Sequence, residues 1–319
     1  MKMNTITSEH PPKVRLIEIT EDNAGQRLDN YLITLLKGVP RTRIYRIIRK
    51  GEVRVNKGRV DIKYRLKEHD VVRIPPVRVS ERDAEINIQP GLKYSLEQNI
   101  LYEDEGFILL NKPSGFAVHG GSGISSGVIE ALRVLRPEQR FLELVHRIDK
   151  DTSGCLLIAK KRTMLKALHE LFKGDGVQKS YLALLSGQWQ RKKQWVDAPL
   201  LKNTRKGGER MVIVSQNGKA SETLFVRLQK YSDCTLVKAE PKTGRTHQIR
   251  VHAAWLGHPL VGDERYGDTE VNRQMKKKGY KRLFLHAHQL RFKHPVSGEM
   301  MEFTAPLAAE LQKLLDYEK

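Results

Sequence analysis

The chain has 319 residues, with 57 Lys plus Arg against 37 Asp plus Glu, a net charge of +20. Its 39% hydrophobic and 29% charged content allows a folded core and excludes a disordered polyelectrolyte. No run approaches the roughly 18 apolar residues of a membrane span, and the opening MKMNTITSEHPPKVR lacks the apolar stretch of a secretory leader, so neither membrane residence nor secretion is expected. A pI near 9.9 points to a polyanionic partner, RNA or DNA first. Cys155 and Cys234 sit in no Cys-x-x-Cys pair, which suits a reducing cytoplasm.

Residues 1–13 read as a disordered tail ending in His-Pro-Pro-Lys. Leu28, Tyr31, Leu32, Leu35 and Leu36 are spaced for one face of a short helix that stops near Gly38 and Pro40. In the next ten residues, Ile44, Ile47 and Ile48 form a buried stripe, Arg41, Arg43, Arg46, Arg49 and Lys50 populate the other faces, and Gly51 ends the helix. Strands are expected at 53–55 and 71–74. From Lys13 to Arg82 there are 18 basic and 9 acidic residues, and like charges this dense on one helix call for an anionic partner. The segment 14–80, two helices and a small hairpin, resembles the S4 RNA-binding domain. Residues 81–99, polar and broken by Pro90 and Gly91, read as a linker.

From 100 to 319 short alternating runs such as FILLNK, CLLIAKK, SYLALLSG, LVKAEP and FLHAHQLRF predict strands, with helices at 128–135, 163–172, 247–256 and 308–317. The class is therefore α+β, with a large, mostly antiparallel mixed sheet. Within this half, LVHRIDKDTSG is a polar loop between apolar runs, the usual place for functional groups on a rigid scaffold. There Asp149 can serve as nucleophile or base, Arg147 can grip a phosphate or fill the space of a displaced base, and Ser153-Gly154 can complete the turn. In GRTHQIRVH, Thr246 is a candidate helix cap, and His247, Arg250 and Val251 fall on neighbouring faces, with Arg250 able to face a carboxylate. His247 and His252 lack both the spacing and the further ligands of a zinc helix, so no metal is expected. Gly-Ile-Ser-Ser-Gly at 123–127 matches a serine-elbow pattern without the strand that must precede it, and no nucleotide-binding motif is present.

The strings NKPSGFAVHGG (111–121), HRIDKDTSG (146–154), QKSYLALLSG (178–187), GRTHQIRVH (244–252) and GHPLVGDERYG (257–267), in this order, resemble the motifs of the RluA family of pseudouridine synthases. Ile148 and Lys150 stand where that family usually has Leu and Arg. The resemblance implies a pseudouridine-synthase catalytic domain over 100–319 and isomerisation of specific uridines in 23S, large-subunit ribosomal RNA, with a flipped base, no cofactor and no nucleotide. It implies Asp149 as the catalytic carboxylate, Arg250 as the guanidinium that aims it, and Tyr181 as the ring against the flipped base, its hydroxyl a candidate for taking the C5 proton. Arg147 resembles the arginine that fills the vacated place; Lys112, Arg245 and His247 are candidates for RNA-backbone contact or support. A monomer is expected. The alternatives are a synthase of the same family acting on transfer RNA, and a non-catalytic RNA-binding protein on this scaffold, against which the intact Asp149, Tyr181 and Arg250 argue.

Overall fold

A computed structural model describes residues 13–36, 39–77, 88, 90–120, 126–204 and 210–317. The expected tail up to Pro12, and most of the Gly-Ile-Ser-Ser-Gly string, lie outside these residues. The chain divides into two compact units, Met1–Glu85 and Ile86–Lys319.

In the first unit, β1 (Arg15–Glu18) precedes α1 (Leu28–Leu35), α2 (Arg41–Arg49), β2 (Arg54–Val55) and β3 (Val71–Ile74), and the strands form an antiparallel sheet in the order β1-β3-β2. Sequence reading missed β1, an edge strand with little to bury: its Leu16 is 69% exposed. Leu28 and Leu32 of α1 pack with Ile44, Ile47 and Ile48 of α2 and with Val72 and Ile74 in one core. That burial commits the opposite side of α2 to solvent, where Arg41, Arg46, Arg49 and Lys50 are exposed. Arg43 is half-buried, and its Nε has no hydrogen-bond partner among the described residues.

The second unit runs α3 (Pro90–Gln98), β4 (Ile100–Glu103), β5 (Phe107–Lys112), α4 (Val128–Leu135), β6 (Glu143–Leu144), β7 (Ser153–Ala159), α5 (Arg162–Lys173), β8 (Val177–Ser186), β9 (Lys193–Asp197), β10 (Leu200–Thr204), β11 (Arg210–Val214), β12 (Glu222–Lys230), β13 (Cys234–Pro241), α6 (Gln248–Trp255), α7 (Thr269–Lys277), β14 (Leu285–Lys293), β15 (Met300–Thr304) and α8 (Ala309–Tyr317). Here the linker reading of 81–99 needs correction, because α3 occupies residues 90–98 and buries Leu92 and Leu96 in the core of this unit. Proline is tolerated in the first turn of a helix, where its missing N–H has no partner to lose, so Pro90 starts the helix it was expected to prevent. α7 also went unread, since only Val271 and Met275 mark an apolar stripe; Asp268 caps it by accepting from the N–H groups of Glu270 and Val271.

The large sheet has the order β4-β5-β7-β14-β8-β13-β12-β9, with β15 on β14 and β6 on β7. All its pairings are antiparallel except β7 with β14, where Ser153 lies opposite His286 and Gly154 opposite Ala287. Gly154 is therefore not the end of a turn but the start of a central strand. Its φ is +107°, and a Cβ there would lie 2.2 Å from the Ala287 carbonyl oxygen, so only glycine lets these strands meet. One core lies under the β4-β5-β7 half with α3, α4 and α5. Across the other half α6 packs with Phe225, Val237 and Leu285, whereas α7 and α8 pack with Leu184, Leu236 and Phe284. The loop between β6 and β7 thus emerges beside the parallel pair, backed by strands on both sides.

Candidate active site

The β6–β7 loop carries Arg147, Ile148 and Asp149. Ile148 is buried and anchors the loop, leaving Arg147 exposed and the Asp149 side chain 25% exposed. The turn closes through Thr152 N–H donating to the Asp149 carbonyl at 3.2 Å. A second segment straps it: Gly115 N–H donates to the Lys150 carbonyl at 3.0 Å and the Ser114 hydroxyl to that of Asp151 at 2.7 Å. Lys112, at the end of β5, is fully buried and donates to the carbonyls of Pro113, Phe116 and Lys150 at 2.8, 2.9 and 3.0 Å. With all three donors on carbonyls it is not placed for RNA-backbone contact, the first of its two expected roles; the arrangement is that of the second, support, stapling the 112–116 segment to the loop of Asp149.

Burial pulls the Lys112 ammonium down to about 7. An unfolded lysine titrates near pH ~10.4, so between these values the unfolded chain holds the extra proton and rising pH favours the fold. Relative to Lys112→Met, the wild-type protein should gain stability from about pH 7 towards pH 10. Melting temperatures of the two proteins across this range check it, and a pH-independent difference would count against the assignment.

Arg250 comes from α6 and is 93% buried. Its Nε and Nη2 donate to the Asp263 carboxylate at 2.7 and 2.8 Å, and its Nη1 donates to Asp149 Oδ2 at 3.2 Å. The planar fork is thus held on one edge by a carboxylate in the protein interior and presents its remaining corner to Asp149. Burial alone would lower the Arg250 pKa, but Asp263 and then Asp149 more than offset it and raise it. Burial likewise works against the Asp263 carboxylate, and Arg250 with the N–H groups of Arg265 and Tyr266 still holds it below the usual range. Tyr266 lies beneath the guanidinium at 5.1 Å.

His247 Nε2 is 3.9 Å from Asp149 Oδ1. The residue occupies the helix N-cap with a left-handed φ of +54°, so Thr246 is not the cap. His247 makes no side-chain cap bond, and the Gln248 side chain instead ties the turn before α6 to β12, accepting from the Arg245 N–H and the Thr243 hydroxyl while donating to Glu222 and Thr223. His252 is buried with partners at Thr223 and Ala198, well apart from His247's, and among the described residues no His, Cys, Asp or Glu cluster fits a metal.

Two cavities of about 1270 and 1050 Å3 share Arg147, Asp149, Arg245, His247 and Arg250. Together they exceed a small-molecule site and suit a segment of polymer. Tyr181, on β8 opposite Ala239 and Ala287, lines the second cavity with Phe172 and Lys179. Burial, with Asp149 nearby, pushes its phenol far above the ordinary value, so the hydroxyl keeps its proton at neutral pH.

The site is a basic cavity built around one carboxylate held by Arg250. The sequence profile for RNA pseudouridylate synthase matches residues 106–255, and that for the S4 domain matches 26–72. A ribosomal large subunit pseudouridine synthase C from Pasteurella multocida is 58% identical over 303 residues, covering 95% of this chain and 93% of that protein. The protein of the same name from Escherichia coli is 57% identical over 308 residues, covering 95% and 96%. The chain belongs to the RNA pseudouridylate synthase family. Among solved structures, human RNA pseudouridylate synthase domain containing 4 superposes with a TM-score of 0.58 at 27% identity, over 71% of this chain and 95% of that one.

In this pseudouridylate synthase the structure brings together Asp149, Arg250, His247, Arg147 and Arg245 at the cavities, with Tyr181 in the wall of one. Arg245 is exposed and its Nε donates to the Ala220 carbonyl at 3.0 Å; Arg147 has no hydrogen-bond or ion-pair partner among the described residues. His146, the first residue of its string, faces inward, accepting the Leu157 N–H at 3.1 Å and stacking on Phe172. Arg41, Arg43, Arg46, Arg49 and Lys50 belong to the other unit. Sequence reading missed Asp263 and Tyr266. Both lie within the GHPLVGDERYG string, but nothing in a separation of 13 residues from Arg250 marks Asp263 as its partner.

Proposed function

We infer that this protein isomerises specific uridines of large-subunit ribosomal RNA to pseudouridine. The relatives named above carry that activity in their names across nearly the full length of this chain. The observation that carries the site assignment is Asp149, held at the cavity by an arginine that Asp263 clamps from behind. The C1′–N1 bond must break and a C1′–C5 bond form, with the C5 hydrogen exchanged for one on N1, so the base must leave its stack first, at a cost of a few kcal/mol. Asp149 starts the reaction at the extruded nucleoside. Arg250 orients its carboxylate, the Tyr181 ring lies against the uracil, and Arg147, which has no partner among the described residues, enters the space the base vacates. The S4 domain supplies RNA affinity through the exposed arginines of α2, and we place the work in the cytoplasm on a single chain.

Pseudouridine mapping of total RNA from a strain lacking the protein tests this. Large-subunit sites should vanish and return with the wild-type gene but not with Asp149→Asn. Loss confined to transfer RNA would move the substrate assignment, and no loss would overturn the activity. For α2, Arg46→Glu combined with Arg49→Glu should weaken RNA binding at least about tenfold and flatten the slope of log K against log salt by roughly 2. Filter binding at several salt concentrations measures both, and an unchanged slope would remove α2 from the interface.

A further inference from the structure

The hydroxyl of Tyr266 joins three parts of the catalytic unit. It lies 3.0 Å from the backbone N–H of Val212 on β11 and 2.8 Å from His247 Nδ1, while its ring sits under Arg250. The β10–β11 hairpin is seated here by Leu200 and Val212, which pack with Val251 of α6 and against Tyr266. A backbone N–H can only donate, so the Tyr266 oxygen accepts from Val212, and its own proton is then free to be donated to Nδ1. A neutral imidazole that accepts at Nδ1 carries its proton at Nε2. Burial, helped by the charges of Arg250 and Arg265, holds the imidazole below its ordinary value against the pull of Asp149 and Asp263.

We propose that Tyr266 is a positioning residue that fixes the His247 tautomer, so that Nε2–H, and not a lone pair, faces the Asp149 oxygen that Arg250 leaves unbound. This rests on the catalytic reading of Asp149. Oδ2 accepts from Arg250 at 3.2 Å, and Oδ1 lies 3.9 Å from Nε2, too far for a hydrogen bond but near enough for the polarity of that ring edge to act on the carboxylate. The opposite tautomer would set a lone pair against a carboxylate and turn Asp149 away from its aim. Through Val212 the hairpin shares in this control, because displacing β11 removes the donor that commits the Tyr266 proton to His247.

Nitrogen-15 spectra of the imidazole rings in the full-length protein test the idea directly. His247 should show a bare Nδ1 and a protonated Nε2, and Tyr266→Phe, which keeps the ring beneath Arg250, should give a mixture of tautomers. The same substitution should lower kcat about tenfold with KM for RNA changed less than twofold. It should cause no further loss in a His247→Gln background, where a side-chain amide already supplies the donor. A proton on Nδ1 in the wild-type protein, an unchanged tautomer in Tyr266→Phe, or multiplying losses in the double variant would each overturn the proposal. The spectra read the tautomer whether or not the enzyme turns over, so this failure is separable from failure of the functional assignment, and the wild-type spectrum stands even if Tyr266→Phe does not fold.

Discussion

Asp149→Asn should abolish isomerisation, by at least about 1,000-fold in kcat/KM, while RNA affinity changes less than about threefold. An amide has the shape of the carboxylate but neither its nucleophilicity nor its basicity, so the loss falls on the reaction and not on binding. The fold should be indifferent, because Arg250 keeps both short bonds to Asp263 and gives up only the longer one at 3.2 Å. The loop itself is held by backbone bonds and by Ile148, none of which involves the Asp149 side chain. Single-turnover rates and binding to one RNA fragment decide the matter. Comparable loss of rate and affinity would mean that Asp149 serves binding.

Arg250→Lys should be nearly as damaging to activity, with a loss above about 100-fold, and should also destabilise the protein by about 2–4 kcal/mol. The charge is kept, but one ammonium cannot reproduce two parallel bonds to Asp263 and a third to Asp149. Asp263 is 1% exposed, so an oxygen left short of donors there has no water to turn to. The acid side supplies an independent check. Arg250 and neighbouring N–H groups hold Asp263 below its ordinary value despite burial, so the stabilisation is complete above about pH 4, the unfolded value, and is lost as the pH falls through the lower folded one. Arg250→Lys should therefore lose less stability on acidification than the wild-type protein. Denaturant unfolding between pH 3 and 7 shows this, and parallel curves would refute the clamp as a source of stability.

Much was legible in the primary structure because it depends on local order. Apolar spacing marked α1, α2, α4, α5, α6 and α8, since a helix that must bury one face repeats it every three to four residues. The density of arginines on α2 announced an anionic partner, and the apolar runs flanking 146–152 marked a loop held on strands, with Asp149 in it. α3 and α7 escaped for local reasons too: a proline at the first turn reads as a breaker, and two apolar residues make too thin a stripe.

The partners of those residues were decided only by the tertiary structure. Lys112 looks like any basic residue at a strand end, and only the meeting of two loops shows its three donors spent on carbonyls. Gly154 looks like a turn glycine until the one parallel pair of the large sheet brings Ala287 against it. Asp263 and Tyr266 became visible when the chain after α6 folded back under Arg250. The amino-acid sequence by itself thus determined most of the elements, through periodicity and composition that each segment carries alone, and marked the loop that holds Asp149, whose catalytic part is what the family resemblance implies. Which charge is clamped, which is spent inside and which nitrogen of His247 faces Asp149 are properties of pairs distant in the chain, fixed by packing that puts them within hydrogen-bond range and excludes the water that would otherwise satisfy them.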